Sequence, residues 1–140
     1  MTGERGIEIA RAILEEIDAQ ARAEAPNEAC GYLAGSSGAA RLAIRLTNVD
    51  ASPEHYSMSP KEQFAALKRA REEGLELLAV YHSHPATPAR MSAEDIRLAN
   101  DPRMTYLIYS LVELRIKAFV VDQDKRVREV PVRVAEGAVP

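Results

Sequence analysis

Residues 75–84, LELLAVYHSH, form a nearly unbroken apolar run bounded by Gly74 and Pro85. A run of this length between two breakers reads as a strand buried on both faces, and such a strand needs neighbours on either side and helices above and below. It therefore predicts an α/β domain built around a mixed sheet, with His82 and His84 at the strand's far end.

The flanking segments suit that frame. Ile7, Ala10, Ile13, Leu14, Ile17 and Ala21 recur at helical spacing, which predicts one amphipathic helix over residues 5–24, stopped before Pro26. ACGYLAG (29–35) and RLAIRLTN (41–48) read as antiparallel hairpin partners across SSG. Ser59, Pro60 and Glu62 carry the residues of a capping box with proline at the first helical position, so a second helix should run from Pro60 to a C-cap at Gly74. A short third helix is expected over about 93–100. Three strands follow, MTYLIYSL, LRIKAFVVD and RVREVPVRV, the last two joined by DQDK. With 140 residues the whole chain, 1–140, reads as a single domain with a loose tail at 134–140.

Composition narrows the function classes. A net charge of −3 and 28% charged residues give no basic face for a phosphate backbone, so no nucleic acid partner is expected. Cys30 is the sole cysteine, which excludes an intramolecular disulfide and a cysteine-rich zinc site and fits a reducing compartment. No stretch approaches the ~18 apolar residues of a membrane span, and the first residues lack a secretory pattern, so no membrane contact and a cytoplasmic location are expected.

Side chains alternate along a strand, so His82 and His84 share one face and Ser83 points to the other. If Asp95 returns to the same point from the third helix, the three make a His-His-Asp set that suits zinc and leaves a fourth tetrahedral position open. A plainer account competes, because Ser92-Ala-Glu-Asp95 is a good capping box without any metal. Ser83 reads as an anchor for neighbouring backbone, Cys30 as packing, and His55 as a surface or packing residue in the loop 49–58.

H-S-H, seven residues, then S-x-x-D, with a glutamate upstream in PNEACGYLAG, resembles the signature of the JAMM (MPN-plus) zinc metallopeptidases. The resemblance extends over roughly residues 5–133 and is to the compact prokaryotic members. It implies a cytidine-deaminase-like JAMM/MPN fold, a mixed β-sheet flanked by helices. It also implies one zinc ion held by His82, His84 and Asp95, with Glu28 as general base and Ser92 as donor to the oxyanion. Zinc brings bound water to a pKa of ~7, and a carboxylate that is not a ligand can take its proton and pass it to the leaving amine.

The small family members resemble enzymes acting on ubiquitin-like sulfur carriers. The implied partner is such a carrier with a C-terminal Gly-Gly, from which a propeptide or an amino acid such as cysteine is released. A homodimer stays open. Two other readings remain at this point: a noncatalytic interaction module of the same fold, and a JAMM peptidase for a peptide unrelated to ubiquitin. A nucleobase deaminase is excluded, because its P-C-x-x-C needs a second cysteine.

Overall fold

The computed structural model describes residues 6–136. The chain runs β1 (Ile7–Ala10), α1 (Arg11–Glu24), β2 (Cys30–Ser36), β3 (Ala39–Leu46), α2 (Pro60–Glu72) and β4 (Glu76–His84). It continues through α3 (Ala93–Leu98), β5 (Thr105–Ser110), β6 (Arg115–Val121), β7 (Val127–Val130) and β8 (Val132–Ala135).

The apolar run is β4, in the middle of an eight-stranded sheet ordered β7-β6-β5-β4-β2-β3-β1-β8. It pairs antiparallel with β2 and parallel with β5, so the sheet is mixed as expected. Side chains of β4 serve both layers, with the register shift opposite Leu78 interrupting strict alternation. Ala79 and Tyr81 join Ile13, Ile17 and Ala21 of α1 in one core, whereas Ala66 and Ala70 of α2 pack with Cys30 and Ala34 of β2 in another. Burying an isoleucine such as Ile13 or Ile17 contributes about 2 kcal/mol.

Two expectations fail for physical reasons. The first helix begins at Arg11, not near residue 5, which lies outside the described residues. Ile7 and Ile9 instead alternate as a buried strand, filling the slot between β3 and β8 with parallel pairing to both. Ile7 and Ala10 satisfy both a helical and a strand period, and the open sheet edges decide between them.

The last expected strand is also two strands. Proline cannot donate to a ladder, so pairing breaks at Pro131. β7 pairs with β6 at one end of the sheet order and β8 with β1 at the other. One residue thus joins the two ends, and the sheet must curl until they meet. The Pro131 carbonyl accepts from Ile7 N at 3.0 Å at this seam. Val134 and Ala135, expected in a loose tail, belong to β8; residues 137–140 lie outside the described residues.

The helix boundaries near the histidines follow the sequence more closely. Ser59 caps α2 by accepting from Glu62 N, and Gly74 follows the helix in the left-handed region at φ +71°, which glycine adopts without strain. Glu62 does not close its box. Its carboxylate instead accepts from Thr47 N at 2.8 Å and Thr47 Oγ1 at 3.0 Å, tying α2 to the end of β3.

Candidate metal centre

His82 and His84 stand on one face at the C-terminal end of β4, both buried. Ser83, on the opposite face, accepts from Ala29 N through Oγ at 2.8 Å while its own N–H donates to Ala29 O at 2.9 Å. This pair of hydrogen bonds, one to the side chain and one between backbones, fastens the entry to β2 onto β4. The residue just before it is Glu28, whose N–H donates to Ser52 O and whose carbonyl accepts from Asn48 Nδ2. Glu28 is therefore not a solvated loop residue: it is 3% exposed.

The side chains converge. His82 Nε2 and His84 Nε2 are 3.2 Å apart. Asp95 lies across from them, Oδ1 at 3.3 Å from His82 Nε2 and Oδ2 at 3.2 Å from His84 Nε2. Donor atoms of Glu28, His82 and His84 lie within 4.8 Å of one another. Glu28 Oε1 is buried and has no hydrogen-bond partner.

The donor set fits a cation. His84 Nδ1 is 2.9 Å from Pro88 O, a carbonyl that can only accept, so Nδ1 carries the proton and the neutral ring presents a bare Nε2 to the centre. Protons on both Nε2 atoms would face each other across 3.2 Å. One ion with ligands at ~2.05 Å in a tetrahedron separates them by about 3.3 Å, close to the observed spacing.

Electrostatics point the same way. Burial raises the Glu28 carboxyl to about 8, with His84 opposing that rise and Asp95 adding to it. Burial also pushes Asp95 up, but the facing His82 and His84 imidazoles outweigh it when they carry an Nε2 proton and hold the carboxyl below its usual range. His82 is lowered by burial. For His84, burial lowers the pKa, yet Asp95 and the Pro88 carbonyl raise it on balance.

Ser92 is the N-cap of α3 and is exposed. Its Oγ accepts from Asp95 N at 3.0 Å, and Asp95 Oδ2 accepts from Ser92 N at 2.9 Å. The plain capping-box reading is correct, and the same Oδ2 reaches His84. Capping aims the carboxylate into the site. The Ser92 hydroxyl proton is not used by the cap.

Two other residues singled out in the sequence lie outside the cluster. Cys30 is fully buried, with Sγ 3.9 Å from Leu46 O and its thiol pushed up by burial to about 12, which makes it packing and not a nucleophile. His55 is half exposed and sits 3.0 Å from Asp50 Oδ2 through Nδ1.

Tyr56 was not singled out by the sequence, yet its ring stacks on His82 with centroids 4.6 Å apart and planes at 27°. An aromatic between polar loop residues carries no periodic signal, so only the folded loop reveals it. Tyr56, Leu98 and Tyr106 line both the small cavity at His82 and Asp95 and an adjoining groove of about 480 Å³ that continues past Tyr32, Met58 and Gln63.

Comparison with known proteins places the chain in a family. A crystal structure of a JAB1/MPN domain protein from Archaeoglobus fulgidus superposes with TM-score 0.63 at 21% identity over 93% of this chain and 97% of that one, which identifies the fold. A solution structure of a protein from Desulfitobacterium hafniense gives TM-score 0.85 at 44% identity, covering 94% of each chain. Residues 10–122 match the family of prokaryotic homologs of the JAB domain. The chain belongs to this prokaryotic JAB family and is a JAMM-type peptidase. It is 40% identical to the CysO-cysteine peptidase of Mycobacterium tuberculosis over 126 residues, 84% of each protein. It is also 40% identical to a probable TtuB-protein conjugate cleaving protease of Thermus thermophilus over 120 residues, 85% of this chain and 78% of that protein.

Proposed function

We propose that the chain hydrolyses the bond after the C-terminal Gly-Gly of a ubiquitin-like sulfur-carrier protein, with one zinc ion held by His82, His84 and Asp95. The observation that carries this reading is the buried partnerless Oε1 of Glu28 beside two imidazoles and a carboxylate that share one centre. Zinc bound there supplies Lewis acidity toward a carbonyl and makes water acidic enough to ionise near neutral pH.

The chain's own residues do the rest. Glu28 is the general base, taking a proton at Oε1 and returning it to the leaving amine. Its backbone is held on both sides by Ser52 and Asn48, so the carboxyl does not wander from the centre. Ser92 donates its hydroxyl proton to the oxygen that becomes negative as the carbonyl is attacked, while its lone pair stays on Asp95 N. The Pro88 carbonyl orients His84, and the Tyr56 ring covers His82 and keeps solvent from it.

A diglycine tail suits the adjoining groove, because residues without side chains allow close approach of backbone to the centre. The relatives named for CysO-cysteine and for TtuB-protein conjugates support the carrier class and leave two leaving groups, an amino acid and a conjugated protein. In this reading residues 1–140 form a single domain working in the cytoplasm, alone or as a homodimer. Among the described residues no helix is long and apolar enough to cross a membrane.

The test incubates the zinc-loaded protein with diglycine-ended carriers bearing a C-terminal cysteine, a peptide extension or an isopeptide-linked protein, and reads intact masses. Loss of the extension with the diglycine end exposed is the expected result. Unchanged carriers together with cleavage of a carrier-free peptide library would replace the carrier with an unrelated peptide. Stoichiometric zinc with no hydrolysis of either would leave a binding module.

A further inference from the structure

No residue of α3 is buried as a whole, although the Asp95 side chain is 6% exposed, and the six residues of the helix are too few to be stable alone. Its N-terminus is held by the Ser92–Asp95 capping box. Its C-terminus is held by a residue from a different part of the fold. Lys125 Nζ lies 3.2 Å from Ile96 O, 3.2 Å from Arg97 O, 2.7 Å from Ala99 O and 2.9 Å from Asn100 Oδ1. The last carbonyls of a helix lack partners within it and carry its negative end, so an ammonium there satisfies both needs.

Lys125 lies in the turn between β6 and β7, where its N–H donates to Asp122 O at 3.0 Å. Its φ is +65°, a conformation that costs an L side chain energy and that glycine takes freely. The turn has no need of lysine at this position. The contacts to α3 are what the side chain provides.

We propose that Lys125 is a positioning residue that clamps α3 and thereby keeps Asp95 facing His82 and His84. This rests on the reading of Asp95 as a metal ligand. The clamp grips the chain from Ile96, the residue after Asp95, to Asn100 beyond the end of the helix, and touches neither substrate nor metal. It also takes the Asn100 side-chain oxygen, so the residue at the edge of the adjoining groove is fixed by the same amine.

The experiment compares wild type with Lys125→Gly, Lys125→Met and Lys125→Arg in three measurements: zinc affinity by chelator competition, amide exchange across residues 93–100 of the metal-free protein, and thermal midpoint. Lys125→Gly and Lys125→Met should bind zinc about tenfold more weakly, at the low end for outer-sphere partners. They should also exchange faster over 96–100, with core strands unchanged. Lys125→Gly should not lower the midpoint, because it relieves the left-handed backbone, and Lys125→Arg should restore much of the affinity. Wild-type zinc affinity and exchange in both Lys125→Gly and Lys125→Met would overturn the clamp while leaving the ligand set intact. A lowered midpoint in Lys125→Gly that accounts for the zinc loss would reduce Lys125 to a stability residue. A wild-type protein that binds no zinc would overturn the ligand reading and the clamp together.

Discussion

α2 and α3 begin alike, with a serine N-cap and an acid three residues later, Ser59 and Glu62 in one and Ser92 and Asp95 in the other. In both the serine oxygen accepts from the acid's backbone N–H. The acids then part. Glu62 is long enough to reach across to Thr47, whereas Asp95 is short, turns back to Ser92 N and shows its carboxylate to the histidines. The helices are also held differently, α2 by Ala66 and Ala70 in the core and α3 by polar contacts at its two ends. The same local motif is thus scaffold when its helix has a buried face, and can carry chemistry when the helix is placed from outside.

Mutations at matched positions should separate the two uses. The largest effect is expected for Asp95→Ala, and for His84→Ala beside it: loss of zinc and of turnover, read by elemental analysis and the intact-mass assay. Asp95→Asn sharpens this, because asparagine can still accept from Ser92 N; cap and metal-free midpoint should survive while zinc is lost. Wild-type zinc content in these variants would remove α3 from the site and erase the contrast.

Glu28→Gln should keep zinc and lower turnover by about 10²–10⁴, the worth of a general base. Turnover near wild type would show that the orphaned Oε1 is not the proton acceptor.

Next come the two caps. Ser59→Ala should cost about 1 kcal/mol of stability with turnover unchanged. Ser92→Ala should cost a similar amount and also lower kcat by about 10²–10³, if its hydroxyl meets the oxyanion. Equal behaviour of the two alanine variants in both denaturation and turnover would make Ser92 a cap like Ser59.

Zinc affinity should depend on pH through the histidines. His84 holds a proton more firmly than a free imidazole because Asp95 and Pro88 outweigh its burial, so that proton competes with the ion. Affinity should fall as pH drops through and somewhat above the ordinary histidine range of ~6.5, measured by chelator competition in buffers of stepped pH. A flat profile there would argue against imidazole ligation.

Smallest is Glu62→Ala, which removes an exposed contact to Thr47 and should cost under ~1 kcal/mol without touching zinc or turnover. A loss of zinc in Glu62→Ala would mean that α2 takes part in placing the site after all.

The elements legible in the chain were those whose residues speak locally. The β4 run, the Ser59 cap with Gly74 closing α2, and the β2–β3 hairpin need only period and turn chemistry. β1 was not legible, because four residues that fit two periods are assigned by the edges they fill. The split at Pro131 was visible as a proline, but its meaning, one residue joining the two ends of a curled sheet, depends on strands more than a hundred residues apart.

Residue types and spacing by themselves determined that two imidazoles share a strand face and that Asp95 stands at the third position of a capped helix, since both follow from alternation and from the geometry of one helical turn. Only the tertiary structure decided that these meet, that Glu28 joins them through the Ala29–Ser83 staple, that Tyr56 lies on His82 and that Lys125 grips the far end of α3. The reason is distance along the chain. Those contacts pair residues from 11 to 54 positions apart, and no local preference of backbone or side chain encodes which of many such pairs the packed sheet brings together.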